Sequence, residues 1–205
     1  ATTVNSTGNI SMISSAGDSA YSQIGIGGSG SDGAKDGATT VDAGAGTLTM
    51  TAGDGESAYS QIGAGGNLGT GAIAAGNTTV TANGGTTITT GAGADAYGQI
   101  GVGGNGYVPG AAITSATTLN SNLGLTINAA AGGIDAYGQI GAGGNLFDAD
   151  ITGATNVVAA GGNVALTAGA AENTYVQIGA GGNGSDGVKT SATSVSAINV
   201  DMNSG

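Results

Sequence analysis

Residues 20–28 read AYSQIGIGG, and near-copies follow as AYSQIGAGG from Ala58, AYGQIGVGG from Ala96, AYGQIGAGG from Ala136 and TYVQIGAGG from Thr174. A catalytic centre is needed once per domain, so a phrase written five times points to construction rather than chemistry. Its tyrosines, Tyr21, Tyr59, Tyr97, Tyr137 and Tyr175, are spaced by 38, 38, 40 and 38 residues. A second marker, Ala/Asn-Thr-x-Val/Leu, starts at Ala1, Ala38, Asn77, Ala116, Ala154 and Ala192, with spacings of 37, 39, 39, 38 and 38. Two markers with one period define a repeat array. Length differences fall in the stretch after Gly-Gly, where inserts such as NGYVPGAAITS and NLFDADITG differ in size and character.

Apolar residues alternate within each repeat, the pattern of strands rather than helices. Leu48 and Met50 share a face, as do Ile10/Met12, Thr86/Ile88, Leu125/Ile127 and Val164/Leu166. The second marker offers Thr39, Val41 and Ala43 as an inward set, repeated through Thr78/Val80/Ala82 to Thr193/Val195/Ala197. A third apolar row runs through Ala34, Ile73, Ile113, Ile151 and Val188. In the opening phrase, Ile24 must supply core. Alternation then turns Ser22 and Ile26 inward and leaves Tyr21 and Gln23 outward. Gly-Gly suits a sharp corner at positive φ.

The fold expected is all-β: a parallel β-helix, or β-solenoid, of about five 38-residue repeats. About four short strands per repeat suggest two coils of roughly 19 residues each, and ten coils at ~4.8 Å give a rod about 50 Å long. Residues 1–205 form a single uncapped array, opening and closing in nearly the same phase of the repeat. Open strand edges at such ends favour joining to further copies.

Composition removes several function classes. Two lysines against 13 acids, with no arginine or histidine, leave no basic footprint for nucleic acid or anionic lipid. Without histidine or cysteine, the usual zinc ligands and His-based acid–base groups are missing, as are disulfides. No apolar run reaches the ~18 residues of a membrane span. An export signal, if the chain is exported, lies outside these residues.

Four features invite a binding role. The stretch Gly181–Lys189, GGNGSDGVK, matches the calcium-binding nonapeptide, and GGSGSDGAK from Gly27 nearly does, making Asp32 and Asp186 calcium candidates. Such sites need tandem copies, and these lie 154 residues apart, so turn chemistry also accounts for Ser-Asp-Gly. Asp18, Glu56, Asp95, Asp135 and Glu172 precede each tyrosine by two or three residues. They read as a solvated acidic stripe, its carboxylates about two coils apart and too distant to share an ion within one rod. Threonine pairs such as Thr47/Thr49 raise ice binding, against which Ser11 and Ala165 interrupt the outward row.

The fourth feature is the repeated pair Tyr21/Gln23, Tyr59/Gln61, Tyr97/Gln99, Tyr137/Gln139 and Tyr175/Gln177. It is the expected ladder and contact face. Glutamine amides would hydrogen-bond along the stack, and tyrosines would supply rod-to-rod contact or dock carbohydrate.

YSQIGIGG and YGQIGAGG resemble the Tyr-x-Gln-Ile-Gly-x-Gly-Gly repeats of very large bacterial surface or secreted proteins of the filamentous-haemagglutinin type. GNVALTAG from Gly162 is similar to the coils of those adhesins. The resemblance covers all five repeats and implies a right-handed parallel β-helix on an exported fibre or adhesin, without enzymatic activity in the shaft. The secretion domain that begins such proteins is absent from these residues. The histidine of the family's Gly-His-Gly-Gly form is replaced by Ile26, Ala64, Val102, Ala142 and Ala180.

The sequence therefore predicts a non-enzymatic structural shaft at the bacterial cell surface or outside the cell. Its partners would be copies of itself, end to end or side by side, or a surface glycan. No cofactor is expected apart from the calcium candidates. A self-assembling filament subunit, or a glycan-, ice- or calcium-dependent binding module, is the alternative.

Overall fold

A computed structural model describes residues 1–73, 76–106, 112–129, 131 and 133–204. Within them every regular element is a strand. The first coil holds β1 (Thr2–Asn5), β2 (Ile10–Ile13) and β3 (Tyr21–Gly27), and the second β4 (Thr39–Asp42), β5 (Leu48–Thr51) and β6 (Tyr59–Gly65). The third holds β7 (Thr78–Thr81), β8 (Thr86–Thr89) and β9 (Tyr97–Ile100). In the fourth, β10 (Ile113–Thr114) precedes β11 (Thr117–Asn120), β12 (Leu125–Asn128) and β13 (Tyr137–Ile140). The fifth has β14 (Ile151–Ala159), β15 (Val164–Thr167) and β16 (Tyr175–Ile178), and β17 (Lys189–Ala197) and β18 (Val200–Asn203) follow.

These strands stack into three parallel sheets. Sheet A runs β1-β4-β7-β11-β14, with β17 and β10 also on β14; sheet B runs β2-β5-β8-β12-β15-β18; sheet C runs β3-β6-β9-β13-β16. Each residue pairs with its counterpart one whole repeat away: Val4 with Val41, Met12 with Met50, Tyr21 with Tyr59. One repeat is therefore one coil, and the expected two coils per repeat are overturned. Strands about 19 residues apart lie on different sheets of the same turn instead of stacking on each other. At ~4.8 Å per coil, five coils rise about 24 Å, half the length expected from the sequence.

Inward rows fall where alternation placed them in the inner coils, while Thr193 and Val195 on the last strand of sheet A are exposed. Val41, Val80, Leu119 and Val157 from sheet A meet Leu48, Met50, Ile88, Ile127 and Leu166 from sheet B, with Ile62, Ile100 and Ile140 of sheet C completing the main core. Fully burying each such aliphatic contributes about 1.5–3 kcal/mol. The rows continue along the axis, so each coil covers its neighbours and no coil carries a core of its own.

A second, smaller core lies beside the main one, where Ala64, Val102 and Ala142 of the Gly-x-Gly corner pack on Ile73, Ile113, Ile151 and Phe147. Here one expected row is corrected. Ile113, Ile151 and Lys189 are register partners, and the backbone of Lys35 bonds to Ala72, so the row ends in Lys35 and Lys189. Ala34 and Val188, placed in that row from the sequence, are exposed. Residues 107–111 of the longest insert lie outside the described residues.

Candidate functional site

The five-fold phrase forms sheet C and the corner after it. Tyr21, Tyr59, Tyr97, Tyr137 and Tyr175 stack ring on ring along the axis, with centroids 5.1, 4.7, 4.9 and 5.0 Å apart and planes within 7° of parallel. Offset stacking of this kind adds about 0.5–1.5 kcal/mol per pair beyond the area buried.

The tyrosines were expected to face solvent, and in the middle coils they do not: Tyr59, Tyr97 and Tyr137 are 0% exposed. The reason lies in Gly-Gly. After sheet C the chain doubles back across its outer face, so that a Cβ on Gly144 would lie 2.9 Å from the Tyr137 hydroxyl and one on Gly182 2.8 Å from that of Tyr175. Sheet C is thus covered on both faces, with isoleucine toward the main core and tyrosine and glutamine under the returning loop. Tyr175, in the last coil of the stack, is half-buried, and only Tyr21, at the other end, is half exposed. In the middle coils the tyrosines are not available for the rod-to-rod or glycan contact expected of the row. Burial pushes the phenol groups of Tyr59, Tyr97, Tyr137 and Tyr175 up, so they stay neutral.

The outward placement of the glutamines is corrected in the same way. Gln61, Gln99 and Gln139 are fully buried, and Gln23 and Gln177, in the first and last coils, are half-buried. Their task differs from that of the tyrosines. The Gln99 amide donates to the carbonyls of Gly143 at 3.1 Å and Gly141 at 3.4 Å on the next coil. Gln139 likewise donates to Gly181 at 3.1 Å and Gly179 at 3.2 Å, and Gln61 to Gly103 at 3.1 Å. Sheet C ends at the strand carrying Gln177. The Gln177 amide therefore turns back to its own corner and donates to the Ala180 carbonyl at 3.1 Å.

Within the glutamine row, bonding from amide to amide appears once among the described residues, from Gln61 to Gln99 at 3.4 Å. The row therefore ties each strand to the glycine corner above it more than to the next glutamine. That corner demands glycine: Gly65, Gly103 and Gly143 take φ of 132–134°, and a Cβ on any of them would sit inside the carbonyl group of the next coil's glycine.

A third column went unread in the sequence beyond its place in the turn. Asn105 donates to Asn67, and Asn183 to Asn145, each at 3.3 Å and one coil apart. Asn145 also reaches the Asp95 carboxylate at 3.2 Å, and Asn183 that of Asp135 at 3.3 Å. The amides thereby pin the returning loop to the turn that precedes the tyrosine. Their recurrence directly after Gly-Gly was the available signal.

Acidic residues before the tyrosines stand one coil apart, not two. Burial pushes the Asp95 carboxyl up from its ordinary range, the neighbouring Asp135 charge pushes it the same way, and the Asn145 amide opposes both. Asp32 and Asp186 lie near opposite ends of the stack. The Asp32 carboxylate accepts from the Thr70 hydroxyl at 2.7 Å. Carbonyls of the Asp32 loop converge on an ammonium: Lys35 donates to Ser31, Gly33 and Thr70 at 2.9, 3.0 and 2.8 Å. Lys189 donates to Ala149 at 2.8 Å, to Gly187 at 3.2 Å and to Asp186. Backbone carbonyls beside both aspartates thus converge on lysine ammonium groups. Among the described residues no group of three or more carboxylates is placed to hold a metal, and no helix is long and apolar enough to cross a membrane.

No family model matches the chain, and neither a curated protein nor a solved structure is similar to it at a significant level.

Proposed function

We propose that this β-solenoid is a structural shaft segment of an extracellular bacterial fibre or adhesin, without catalytic activity. The observation that carries the reading is where the repeated phrase is spent. Its tyrosine, glutamine and glycines hold one coil to the next from the inside, and in the middle coils the tyrosine and glutamine offer nothing to a solute. A ligand site repeated five times would be expected to keep its recurring side chains accessible. The resemblance to filamentous-haemagglutinin-type repeats supports a cell-surface or secreted setting.

A shaft must resist tension coil by coil, and single-molecule pulling tests this. With handles at the two ends of residues 1–205, a shaft yields in steps of about 38 residues, each releasing roughly 130 Å of chain at ~3.3–3.6 Å per residue. Extension without resolved steps, at forces no higher than those of a disordered chain, overturns the reading.

A further inference from the structure

The charges of this molecule are segregated. Of its 13 acids, Asp18, Asp54, Glu56, Asp95, Asp135 and Glu172 lie between the sheet B and sheet C strands. Asp32, Asp36, Asp148, Asp150 and Asp186 lie in the loops from sheet C to sheet A, with Lys35 among them. Only Asp42 and Asp201 fall on the strands of sheets A and B, and Asp201 is in the last coil. The outer face of sheet B is therefore uncharged over five successive coils. It presents Thr49, Thr51, Thr87, Thr89, Thr126 and Asn128 in straight columns, since these residues are register partners. Along one of these columns runs an open groove lined by Thr49, Thr87 and Thr126 and walled by Gly85 and Leu123. The wall is apolar and proud: Leu123 is 65% exposed and Ile198, further along it, 62%.

We propose that the outer face of sheet B is the lateral association surface of the rod, and that its occupant is the same face of a second copy. Net charge decides the direction of approach. At −11, two copies repel wherever their acidic turns meet; the sheet B face keeps like charges apart over five successive coils, whereas on sheet A Asp42 interrupts the row in the second coil. Shape agrees with a two-fold arrangement, because a ridge and a groove lie side by side on one surface, so the Leu123 ridge of each copy can seat in the threonine-lined groove of the other. Area sets the strength. Five strands at ~4.8 Å and four residues at ~3.3 Å give a face of roughly 300 Å² per partner, which is below the ~600 Å² per partner of a stable standard interface. Short rods therefore pair weakly, and the contact gains strength only as it repeats along longer arrays. The assignment rests on the shaft reading and replaces the tyrosine row as its contact face.

The chain has no cysteine, so one introduced thiol reports on one surface. Thr87→Cys places it on the proposed face; Ala94→Cys places it at an exposed position in the acidic turn of the same coil. With a short bis-maleimide at high protein concentration, Thr87→Cys is expected to give several-fold more cross-linked dimer than Ala94→Cys. The yield should rise with salt as the acids are screened. Adding Thr49→Asp and Thr126→Asp to Thr87→Cys should remove the excess, with circular dichroism verifying that the variant keeps its strands. Equal yields from the two thiols, or an excess that survives the added aspartates, overturn the assignment. Coil-by-coil resistance in the pulling experiment would survive that result, so failure of the surface and failure of the shaft are separately visible.

Discussion

The Gln99 side chain and the carbonyl of Gly143 meet at 3.1 Å across one coil boundary, with Gln99 wholly buried. Together with its bonds to Gly141 and Val102, this contact makes one amide the donor for three backbone carbonyls at the corner of sheet C.

Removing that donor takes away its bonds at a buried corner, at about 0.5–1.5 kcal/mol each, while the Gly143 and Val102 carbonyls keep the backbone N–H groups of Gly104 and Gly143. Gln99→Ala is expected to lower the melting temperature clearly. Gln23→Ala should cost less, because Gln23 is half-buried at the first coil and its bonds are longer, 3.3 and 3.5 Å. Thermal melts of the two variants rank them. Equal losses would show that these bonds are not what the row contributes.

Tyr97 separates the ring from its hydroxyl. The hydroxyl is buried with the Asn105 backbone beside it, in a contact that falls short of a well-formed hydrogen bond. Tyr97→Phe is therefore expected to change stability by less than about 1 kcal/mol in either direction, since no well-formed bond is lost. Tyr97→Ala breaks the stack on both sides and leaves a large cavity, at about 3–5 kcal/mol. Denaturant titration of both variants checks the split. A Phe variant as damaged as the Ala variant would give the hydroxyl a role that its surroundings do not indicate.

Asp95 gives the stack a pH dependence whose sign follows from its raised carboxyl. The folded state holds that proton more tightly than the unfolded chain does. The resulting stabilisation is complete below the unfolded carboxyl's titration and is lost as pH rises through the folded value. Asp95→Asn keeps an oxygen for the Asn145 amide and suits the left-handed backbone there, φ 58°. The variant should match the parent in acid and melt at a higher temperature than the parent at neutral pH. A variant less stable than the parent at neutral pH would contradict the sign.

Much of this architecture was legible in the residues, and the misreadings have physical causes. Alternation placed Val41, Met50 and their counterparts correctly because their strands have one buried face and one more open one. Tyr59 and Gln61 defeated the same rule, since a strand covered on both sides has no outward face and alternation cannot reveal what covers it. Period alone did not fix the coil. Ten and twenty residues after Thr39 the chain reaches new strands, and only the register of Thr39 with Thr78 shows that these belong to one turn. An ammonium reads as surface, so Ala34 fits the apolar row better on paper than Lys35 does, whereas here three carbonyls take the place of the lysine's water. The uncharged face of sheet B was invisible for a related reason: its threonines are ordinary until the register aligns them and the turns collect the acids.

That one repeat closes one coil makes length a free variable of this molecule. Excise a whole period, and Tyr59 would rest on Tyr137 much as it now rests on Tyr97; duplicate one, and every side chain finds a near-copy of its former neighbour. Recombination between the near-identical gene segments that such repeats imply would then deliver longer or shorter rods in single-coil steps, each one folded by the contacts already in use.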